Sequence, residues 1–405
     1  MQRFFDDDGF DFATLIALGS ASRGLADAGE VLATVERIPD GDREAWVREW
    51  TATASRVRDA AERSAAGGHD VSARRAYLRA SLYFDHASSM TAGTSDESRF
   101  DTLWEQHREC WDEAVARWPG VEKVAVPYEG TTLEGYWFRP PHAGDTPSPV
   151  VILANGSDGP VTAMWAQGGA AAVERGWHAV TVDGPGQGAA LHRGRLYFRA
   201  DWEAVVTPVV DFVLAQPGVD PARIALHGVS QGGYWVPRAA AFEHRLAAAV
   251  ADPGVVDVST SWTGHLPDFL VALLDDPAQQ AGFDSMIEQG APPGVYAELR
   301  WRMAPYGTQS PFVAYNAARA MHLDDATIAQ ITCPMLLTDP DDEQFWPGQS
   351  RTLFDKLPGE KAILRFTRNE GANFHCEPAG LALRDERVFD WLEDVLTRAA
   401  RSGDE

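Results

Sequence analysis

The segment at residues 223–242 restricts the fold of this chain more than any other. Residues 228–232 read Gly-Val-Ser-Gln-Gly, directly after an apolar strand-like run at 223–227 and directly before a helical run at 234–242. A Gly-x-Ser-x-Gly turn between strand and helix holds its serine in a strained conformation, with the hydroxyl projecting above a sheet. The pentapeptide alone can occur by chance, so the prediction depends on its position between the strand and the helix. Ser230 is the predicted nucleophile, and the backbone amide of Gln231 is a predicted oxyanion donor.

A histidine late in the chain supplies the base that a serine nucleophile needs. A neutral serine is a poor nucleophile, so a base on a late loop must take its proton, oriented in turn by a carboxylate. His375 follows the predicted final strand, 361–366, and precedes the predicted closing helix, 381–399. That position favours His375 as the general base over a surface loop histidine.

The acidic partner is expected between the serine and the histidine, on the loop after the preceding strand. Residues 339–343 read Asp-Pro-Asp-Asp-Glu, so the loop offers several carboxylates. Spacing from the strand start and from the next proline favours Glu343. Asp342 is one residue away and stays open as the alternative, with Asp339 and Asp341 less favoured.

A second oxyanion donor is expected from the loop after an early central strand. Residues 155–159, Asn-Gly-Ser-Asp-Gly, follow the strand predicted at 150–154, and the amide of Ser157 is the candidate. Glycine and Asx residues also serve such turns for conformational reasons alone.

The periodicity of apolar residues divides the chain into two kinds of structure. Residues 10–118 show helical spacing, with Asp42 and Ser72 as predicted N-caps. From 121 onward, continuous apolar strands alternate with helices, which predicts an α/β fold with a mostly parallel sheet covered on both faces. The predicted strands are 122–127, 132–138, 149–154, 178–183, 223–227, 247–252, 334–338 and 361–366.

About eighty residues separate two of these strands, which is more than one crossover helix needs. We therefore predict four segments: a helical N-terminal lid domain at 1–120, a first core part at 121–256, a helical cap insertion at 257–325, and a second core part at 326–405. Helical stretches are predicted at 257–274, 283–289 and 293–303. The cap aromatics that could face a substrate are Trp262, Phe269, Tyr296 and Trp301.

Composition narrows the class of partner. The 405 residues carry a formal net charge of -24, which argues against nucleic acid or an anionic membrane as a partner. Cys110, Cys333 and Cys376 show neither a disulfide framework nor zinc spacing, and the N-terminus shows no signal-peptide pattern. The expectation is a cytoplasmic protein with a small-molecule substrate, no metal and no cofactor.

Three segments together resemble a known group of α/β-hydrolase-fold enzymes. Residues 68–80, 183–188 and 370–376 are similar to the 2,6-dihydroxypseudooxynicotine hydrolase group, which includes fungal polyketide-shortening hydrolases and is akin to the fermentation-respiration switch protein family. The resemblance spans nearly the whole chain. It implies a Ser-acid-His triad and, in the named cases, cleavage of a carbon–carbon bond next to a carbonyl, or of an ester in related sequences. It also implies a homodimer, but it fixes no substrate.

Two functions of other classes compete with a hydrolase. Residues 183–189, Asp-Gly-Pro-Gly-Gln-Gly-Ala, satisfy a dinucleotide-binding pattern, which would indicate an oxidoreductase. Pro185 removes an amide that would bind pyrophosphate, and the segment lies in mid-sheet instead of opening a βαβ pair. A non-catalytic binding module is the other alternative, against which the complete Ser/acid/His set argues. An ester-specific carboxylesterase or lactonase remains the main alternative within the hydrolases.

Overall fold

The computed structural model describes residues 3–141 and 147–402, with the side chains of the last two left out. The chain divides into two compact units. One comprises the residues up to Lys123 together with Pro378–Ala382, and the other comprises Val124–Glu377 and the chain from Leu383 onward.

The first unit is helical, as its apolar periodicity predicts. Its core is aromatic: Trp46, Trp50 and Tyr83 are fully buried, and the Trp46 and Trp50 rings lie 5.8 Å apart. The helices are α1 Asp8–Ser20, α2 Ala28–Val35, α3 Arg43–Ala66, α4 Asp70–Ser88 and α5 Arg99–Val115.

One of the two predicted N-caps in this unit is wrong. Asp42 caps α3, since its carboxylate accepts the Ala45 amide at 2.9 Å. Ser72 lies inside α4, which begins at Asp70 after His69. The left-handed Gly68 ends the preceding turn, so the new helix starts before Ser72 is reached.

A late segment of the chain completes the helical unit. The backbone of α1 passes so close to it at Gly19 that a Cβ there would fall 1.6 Å from the carbonyl oxygen of Pro378. Any side chain at Gly19 would therefore displace this segment from the helical unit.

The second unit is built on an eight-stranded sheet with the order β1-β2-β4-β3-β5-β6-β7-β8 in the described chain. β2 pairs antiparallel with β4, and the pairs from β4 through β3 to β8 are parallel. The strands are β1 Val121–Tyr128, β2 Thr131–Phe138, β3 Ser148–Ala154, β4 His178–Val182, β5 Val219–Val229, β6 Ala248–Asp252, β7 Met335–Pro340 and β8 Lys361–Phe366.

Helices cover both sides of this sheet, and the predicted α/β-hydrolase architecture is confirmed. The central strands are almost wholly buried, which is why they read as continuous apolar runs. Trp202 and Trp235 stack at 4.0 Å within the core. The helices from β3 to β6 are α6 Gly169–Glu174, α7 Gly188–His192, α8 Glu203–Leu214 and α9 Gly232–Ala240, and those after β7 are α16 Gln349–Lys356 and α17 Leu381–Ser402.

The long insertion between β6 and β7 is helical, with a core of its own. Trp262, Phe283 and Tyr315 meet edge to face in it, at ring distances of 5.3 and 5.6 Å. Its helices are α10 Thr260–Thr263, α11 Asp268–Leu273, α12 Gln280–Gly290, α13 Pro293–Met303, α14 Pro311–Arg319 and α15 Asp325–Ile328.

The four cap aromatics proposed to face a substrate have different environments. Trp262 is buried in the cap core and Tyr296 packs against that core. Phe269 is 61% exposed, and Trp301 is half-buried.

No helix within residues 3–141 and 147–402 has the combined length and apolarity that crossing a bilayer requires.

Candidate active site

Ser230 occupies a sharp turn between β5 and α9. Its φ of 57° lies in the left-handed region, where a non-glycine residue costs about 1–3 kcal/mol. The turn is held because the Ser230 amide donates to the carbonyl oxygen of Asp252, at the end of β6, at 2.7 Å. The backbone strain predicted for this serine is present in the structure.

The glycines around Ser230 are required by close approach. A Cβ at Gly228 would lie 2.6 Å from the Gly232 carbonyl oxygen. A Cβ at Gly156, in the loop after β3, would lie 2.6 Å from the Cβ of Ser230 and 3.1 Å from its Oγ. The loop after β3 thus passes directly over the candidate nucleophile, because residue 156 has no side chain.

The structure brings His375 and Glu343 together. Nδ1 of His375 lies 2.9 Å from each carboxylate oxygen of Glu343. Both side chains are almost inaccessible, at 5% and 6% exposure. Oε1 of Glu343 also accepts the amides of Phe345 and Trp346, at 2.9 and 3.0 Å. Backbone amides of its own loop therefore hold the carboxylate in position, independently of its contact with the imidazole.

The pair is electrostatically coupled. Burial works to raise the pKa of Glu343. The charge of His375 and the hydrogen bonds that the Glu343 carboxylate accepts outweigh burial and leave that pKa below its ordinary value. Burial works to lower the pKa of His375, but the charge and hydrogen bond of Glu343 outweigh it and raise that pKa. The arrangement favours a Glu343 carboxylate with a proton on Nδ1 of His375.

The other imidazole nitrogen is left available. Nε2 of His375 is buried and has no hydrogen-bond partner among the described residues, Ser230 included. The ring packs against Phe345 and Trp346, at centroid distances of 4.7 and 5.7 Å, and these two contacts restrict its orientation.

The turn that carries His375 contacts the turn that carries Ser230. Sγ of Cys376 accepts the Ser230 amide at 3.1 Å and donates to the Asp252 carbonyl oxygen at 3.3 Å. The His375 amide in turn donates to the side chain of Gln344 at 3.0 Å. The candidate base and the candidate nucleophile thus lie on two turns joined through Cys376.

The other carboxylates of the loop face elsewhere. Asp342 accepts from the guanidinium of Arg368 and, at 2.7 Å, from the side chain of Asn373. Asp339 binds Arg351 and Asp341 binds Arg365. Between Glu343 and the alternative Asp342, the structure places only Glu343 against His375; Asp342 instead ties its loop to the β8–α17 connection.

The two candidate oxyanion donors lie on neighbouring loops. Gln231 lies directly before α9 and next to Ser230, and its amide meets no backbone acceptor in the described chain. In the loop after β3, the Gly156 amide is already taken by the side chain of Asn155, at 2.8 Å. The Ser157 amide is the next donor along that loop.

The glycine-rich turn at 183–189 supports this loop. Oε1 of Gln187 accepts the Gly184 amide at 2.9 Å, while its Nε2 donates to the carbonyl oxygens of Asn155 and Gly156 at 3.0 and 2.7 Å. The Gly186 amide donates to Leu196, and a Cβ on Gly186 would lie 2.0 Å from the ring of Phe198. The amides of Gly184 and Gly186 thus already have acceptors within the protein, which favours a structural role for this turn over a dinucleotide site.

Sequence reasoning did not single out Gln187, Asp252 or Cys376 as part of the site. In the sequence, Gln187 occupies a variable position of the glycine-rich segment 183–189, and Cys376 is distinguished only by following His375. Within the described residues, no three His, Cys, Asp or Glu side chains form a group suited to a metal ion.

The second unit has a mostly parallel sheet covered on both sides, a serine at a sharp turn after a central strand, and a histidine after the last strand. This combination defines an α/β-hydrolase. The chain belongs to the FrsA-like esterase family, whose model matches residues 13–268. The predicted resemblance to this family and its relatives is confirmed.

Related hydrolases match over almost the full length. The hydrolase LUC6 of a Fusarium species is 31% identical, covering 98% of both chains. The hydrolase acrC of Aspergillus aculeatus is 30% identical, covering 97% of this chain and 98% of its own. The 20-hydroxy-prefusarin hydrolase FUS2 of Gibberella moniliformis is 28% identical, covering 98% of both.

Solved structures share the fold. The 2,6-dihydroxy-pseudo-oxynicotine hydrolase superposes with a TM-score of 0.72 and 21% identity, over 93% of this chain and 95% of that one. AbyA5 superposes with a TM-score of 0.62 and 17% identity, over 97% and 99%. At this identity the likeness extends to the architecture alone.

Proposed function

We propose that this protein is a serine hydrolase that cleaves an acyl bond of a small molecule through Ser230, His375 and Glu343. The observation that carries the proposal is the position of the His375 imidazole. Its Nδ1 lies 2.9 Å from both Glu343 oxygens, its Nε2 is buried and unpaired among the described residues, and its turn contacts the Ser230 amide through Cys376.

The first half of the reaction follows from these positions. Nε2 of His375 takes the Ser230 proton as Oγ attacks the substrate carbonyl carbon, and the Glu343 carboxylate stabilises the resulting imidazolium. Catalytic hydrogen bonds are often long without substrate and tighten when it binds, which accords with the unpaired Nε2. The amides of Gln231 and Ser157 hold the oxyanion. The leaving group departs with the proton from His375, and an acyl-enzyme remains.

The second half repeats the same transfers with water. Nε2 of His375 takes a proton from water as the water oxygen attacks the acyl carbon. The tetrahedral intermediate collapses, the bond to Ser230 Oγ breaks, and His375 returns the proton to that oxygen. A carboxylic acid leaves, and the enzyme is restored.

The substrate is proposed to be a bulky, polyketide-like or aromatic molecule, cleaved at an ester or at the carbon–carbon bond beside a ketone. Fungal hydrolases that match over the whole chain support this class, among them one named for 20-hydroxy-prefusarin. The aromatic cap core agrees with an apolar ligand. We further propose a cytoplasmic protein that needs no cofactor and assembles as a homodimer.

Two experiments test the proposal. A fluorophosphonate should modify Ser230, as located by peptide mass spectrometry, and should leave the Ser230→Ala variant unlabelled. A panel that pairs β-diketones with esters of the same acyl group should then identify the bond that is cleaved. An unlabelled wild-type protein, together with unchanged turnover by Ser230→Ala, would refute the proposed mechanism.

A further inference from the structure

Four ionisable side chains are buried together behind the Ser230 turn. Asp252 ends β6, Glu377 follows the His375 turn, and Arg384 and Asp385 lie in α17. Their exposures are 0%, 0%, 0% and 1%. The mechanism above uses none of these side chains, although the main chain of Asp252 holds the Ser230 amide.

Asp252 joins the two turns of the candidate site. Its carbonyl oxygen accepts the Ser230 amide at 2.7 Å and the Cys376 thiol at 3.3 Å. Its Oδ1 accepts the hydroxyl of Thr338, in β7, at 2.7 Å. Its Oδ2 lies 3.7 Å from Nη1 of Arg384 and accepts no hydrogen bond from the described residues. One carboxylate oxygen of Asp252 is thus left for another donor.

The buried charges do not balance if every acid is ionised. Arg384 is the cation of the group, and its Nη2 is 2.7 Å from Oδ1 of Asp385. Its other bonds go to the Ala166 carbonyl and the Gln167 side chain. Asp385 accepts a hydrogen bond from the guanidinium directly. The two further buried acids, Asp252 and Glu377, accept none from it. A buried acid without a partner cation takes up a proton instead.

Glu377 is the acid with the least support for a charge. Neither of its carboxyl oxygens meets a donor within the described residues, and the carboxyl lies beside that of Asp252. Burial, and then the neighbouring Asp252 charge, raises the pKa of Glu377 well above its ordinary range. A protonated Glu377 would carry the donor that Oδ2 of Asp252 lacks.

The backbone at Glu377 needs such an anchor. Cys376 and Glu377 have φ angles of 57° and 45°, so two consecutive non-glycine residues after His375 adopt left-handed conformations. Strained backbone of this kind persists only where tertiary contacts hold it. The contacts that hold it are the Cys376 thiol to Asp252, the Glu377 amide to the Phe374 carbonyl at 2.9 Å, and the Glu377 carboxyl beside Asp252.

We propose that Glu377 is a positioning residue whose protonated carboxyl donates to the Asp252 carboxylate, and so holds the His375 turn against the strand end that also holds Ser230. The role rests on the proposed function, because it matters only if His375 acts on Ser230. Glu377 itself touches no reacting atom.

The proposal sets a direction for pH dependence. A group whose pKa is raised in the folded state adds stability that is fully present below its unfolded pKa of about 4.5, and that is lost as pH rises through the folded pKa. Loss of the proton places two carboxylates face to face and loosens the His375 turn. The charged and titratable groups around Glu377 are Asp252 on β6, Glu343 after β7, His375 and Cys376 on its own turn, and Arg384 and Asp385 on α17.

The test compares two substitutions at one position. Glu377→Gln keeps a donor for Asp252 and cannot ionise, whereas Glu377→Ala removes the donor. Glu243→Gln is the matched control, since Glu243 is a buried acid that binds Thr207 and Arg245 in another part of the unit. The readouts are the rate of fluorophosphonate labelling at Ser230, the hydrolysis of p-nitrophenyl acetate between about pH 6 and pH 10, and the melting temperature over the same range.

Wild type and Glu243→Gln should lose labelling rate and melting temperature together on the alkaline side. Glu377→Gln should label within about threefold of wild type near neutral pH and should lack that alkaline loss, because it keeps the positioning hydrogen bond at every pH. Glu377→Ala should label roughly 10- to 100-fold more slowly at every pH, the cost of a displaced catalytic group.

An alkaline loss in Glu377→Gln equal to that of wild type would overturn the inference, as would wild-type labelling rates in Glu377→Ala. If Glu377→Ala does not fold, the pH profile of Glu377→Gln decides alone. A wild-type protein that is not labelled at Ser230, together with unchanged turnover by Ser230→Ala, would instead refute the proposed function. The two failures are therefore distinguishable.

Discussion

Nδ1 of His375 lies 2.9 Å from both oxygens of Glu343, and the two backbone amides that Glu343 accepts keep the carboxylate in that place. A carboxylate bound at Nδ1 fixes the tautomer in which Nε2 is the proton acceptor. The proposed catalysis depends on that choice of nitrogen and on the turn that presents Ser230 to it.

Replacing Glu343 by glutamine should lower kcat roughly ten thousandfold, because the amide leaves the imidazole in the wrong tautomer and its cation unstabilised. The neighbouring Asp342→Asn variant is the control. Asp342 binds Arg368 and Asn373, so its change should leave kcat within about tenfold and lower the melting temperature instead. Hydrolysis of an activated ester by the two purified variants measures the difference. Equal losses in both would contradict the assignment of Glu343.

Ser230→Ala should abolish fluorophosphonate labelling and reduce ester hydrolysis by a factor on the order of a million. The fold should be retained, because alanine removes only the hydroxyl and the Ser230 amide still donates to Asp252. Ser285→Ala, on the exposed side of α12, serves as the control and should hydrolyse at the wild-type rate. Turnover that survives in Ser230→Ala would point to a different nucleophile.

Activity should fall on the acidic side with a midpoint above 6.5, the ordinary pKa of histidine. Catalysis needs neutral His375, and the charge and hydrogen bond of Glu343 overcome burial to raise the pKa of His375. In Glu343→Gln the largest raising influence on the pKa of His375 is gone while burial remains, so the acidic limb of the residual activity should move to lower pH. A pH profile of kcat/KM for both proteins checks the direction, and a shift to higher pH would contradict it.

Gly156→Ala should slow labelling of Ser230 roughly a hundredfold, because the new Cβ would lie 2.6 Å from the Cβ of Ser230 and the two loops must separate. The matched control is Gly282→Ala in α12, where an added Cβ meets nothing within 4 Å. That control should label normally and gain about 0.5–1 kcal/mol in the free energy of unfolding, the usual effect of alanine in a helix interior. Normal labelling by Gly156→Ala would show that the loop after β3 does not constrain the nucleophile.

The strands were the most predictable part of the fold. The segment predicted at 361–366 coincides with β8, and those near the sheet centre differ from the observed strands by a few residues at their ends. Buried parallel strands leave long apolar runs that no helical period explains. Helix limits were less certain: the stretch predicted at 257–274 is broken, since α10 ends at Thr263 and α11 begins only after Pro267.

The candidate site divides in the same way. Ser230 and His375 can be recognised in the sequence because each lies at a characteristic position between a strand and a helix. Their catalytic roles stay predictions that labelling and mutation test. Spacing alone could not choose between Glu343 and Asp342, because the direction of each side chain in a loop is set by its local backbone conformation, which the sequence does not specify. Gln187 and Asp252 could not be found from sequence at all, since their contacts come from loops far apart in the chain.

The close approach of Gly19 to the Pro378 carbonyl has a consequence for biosynthesis. The helical unit is formed almost entirely by the first part of the chain, yet it also contains Pro378–Ala382. During translation its helices emerge early but lack this segment until nearly the whole protein has been made. We therefore expect the isolated N-terminal fragment to be less protected from protease than the same helices in the full-length protein.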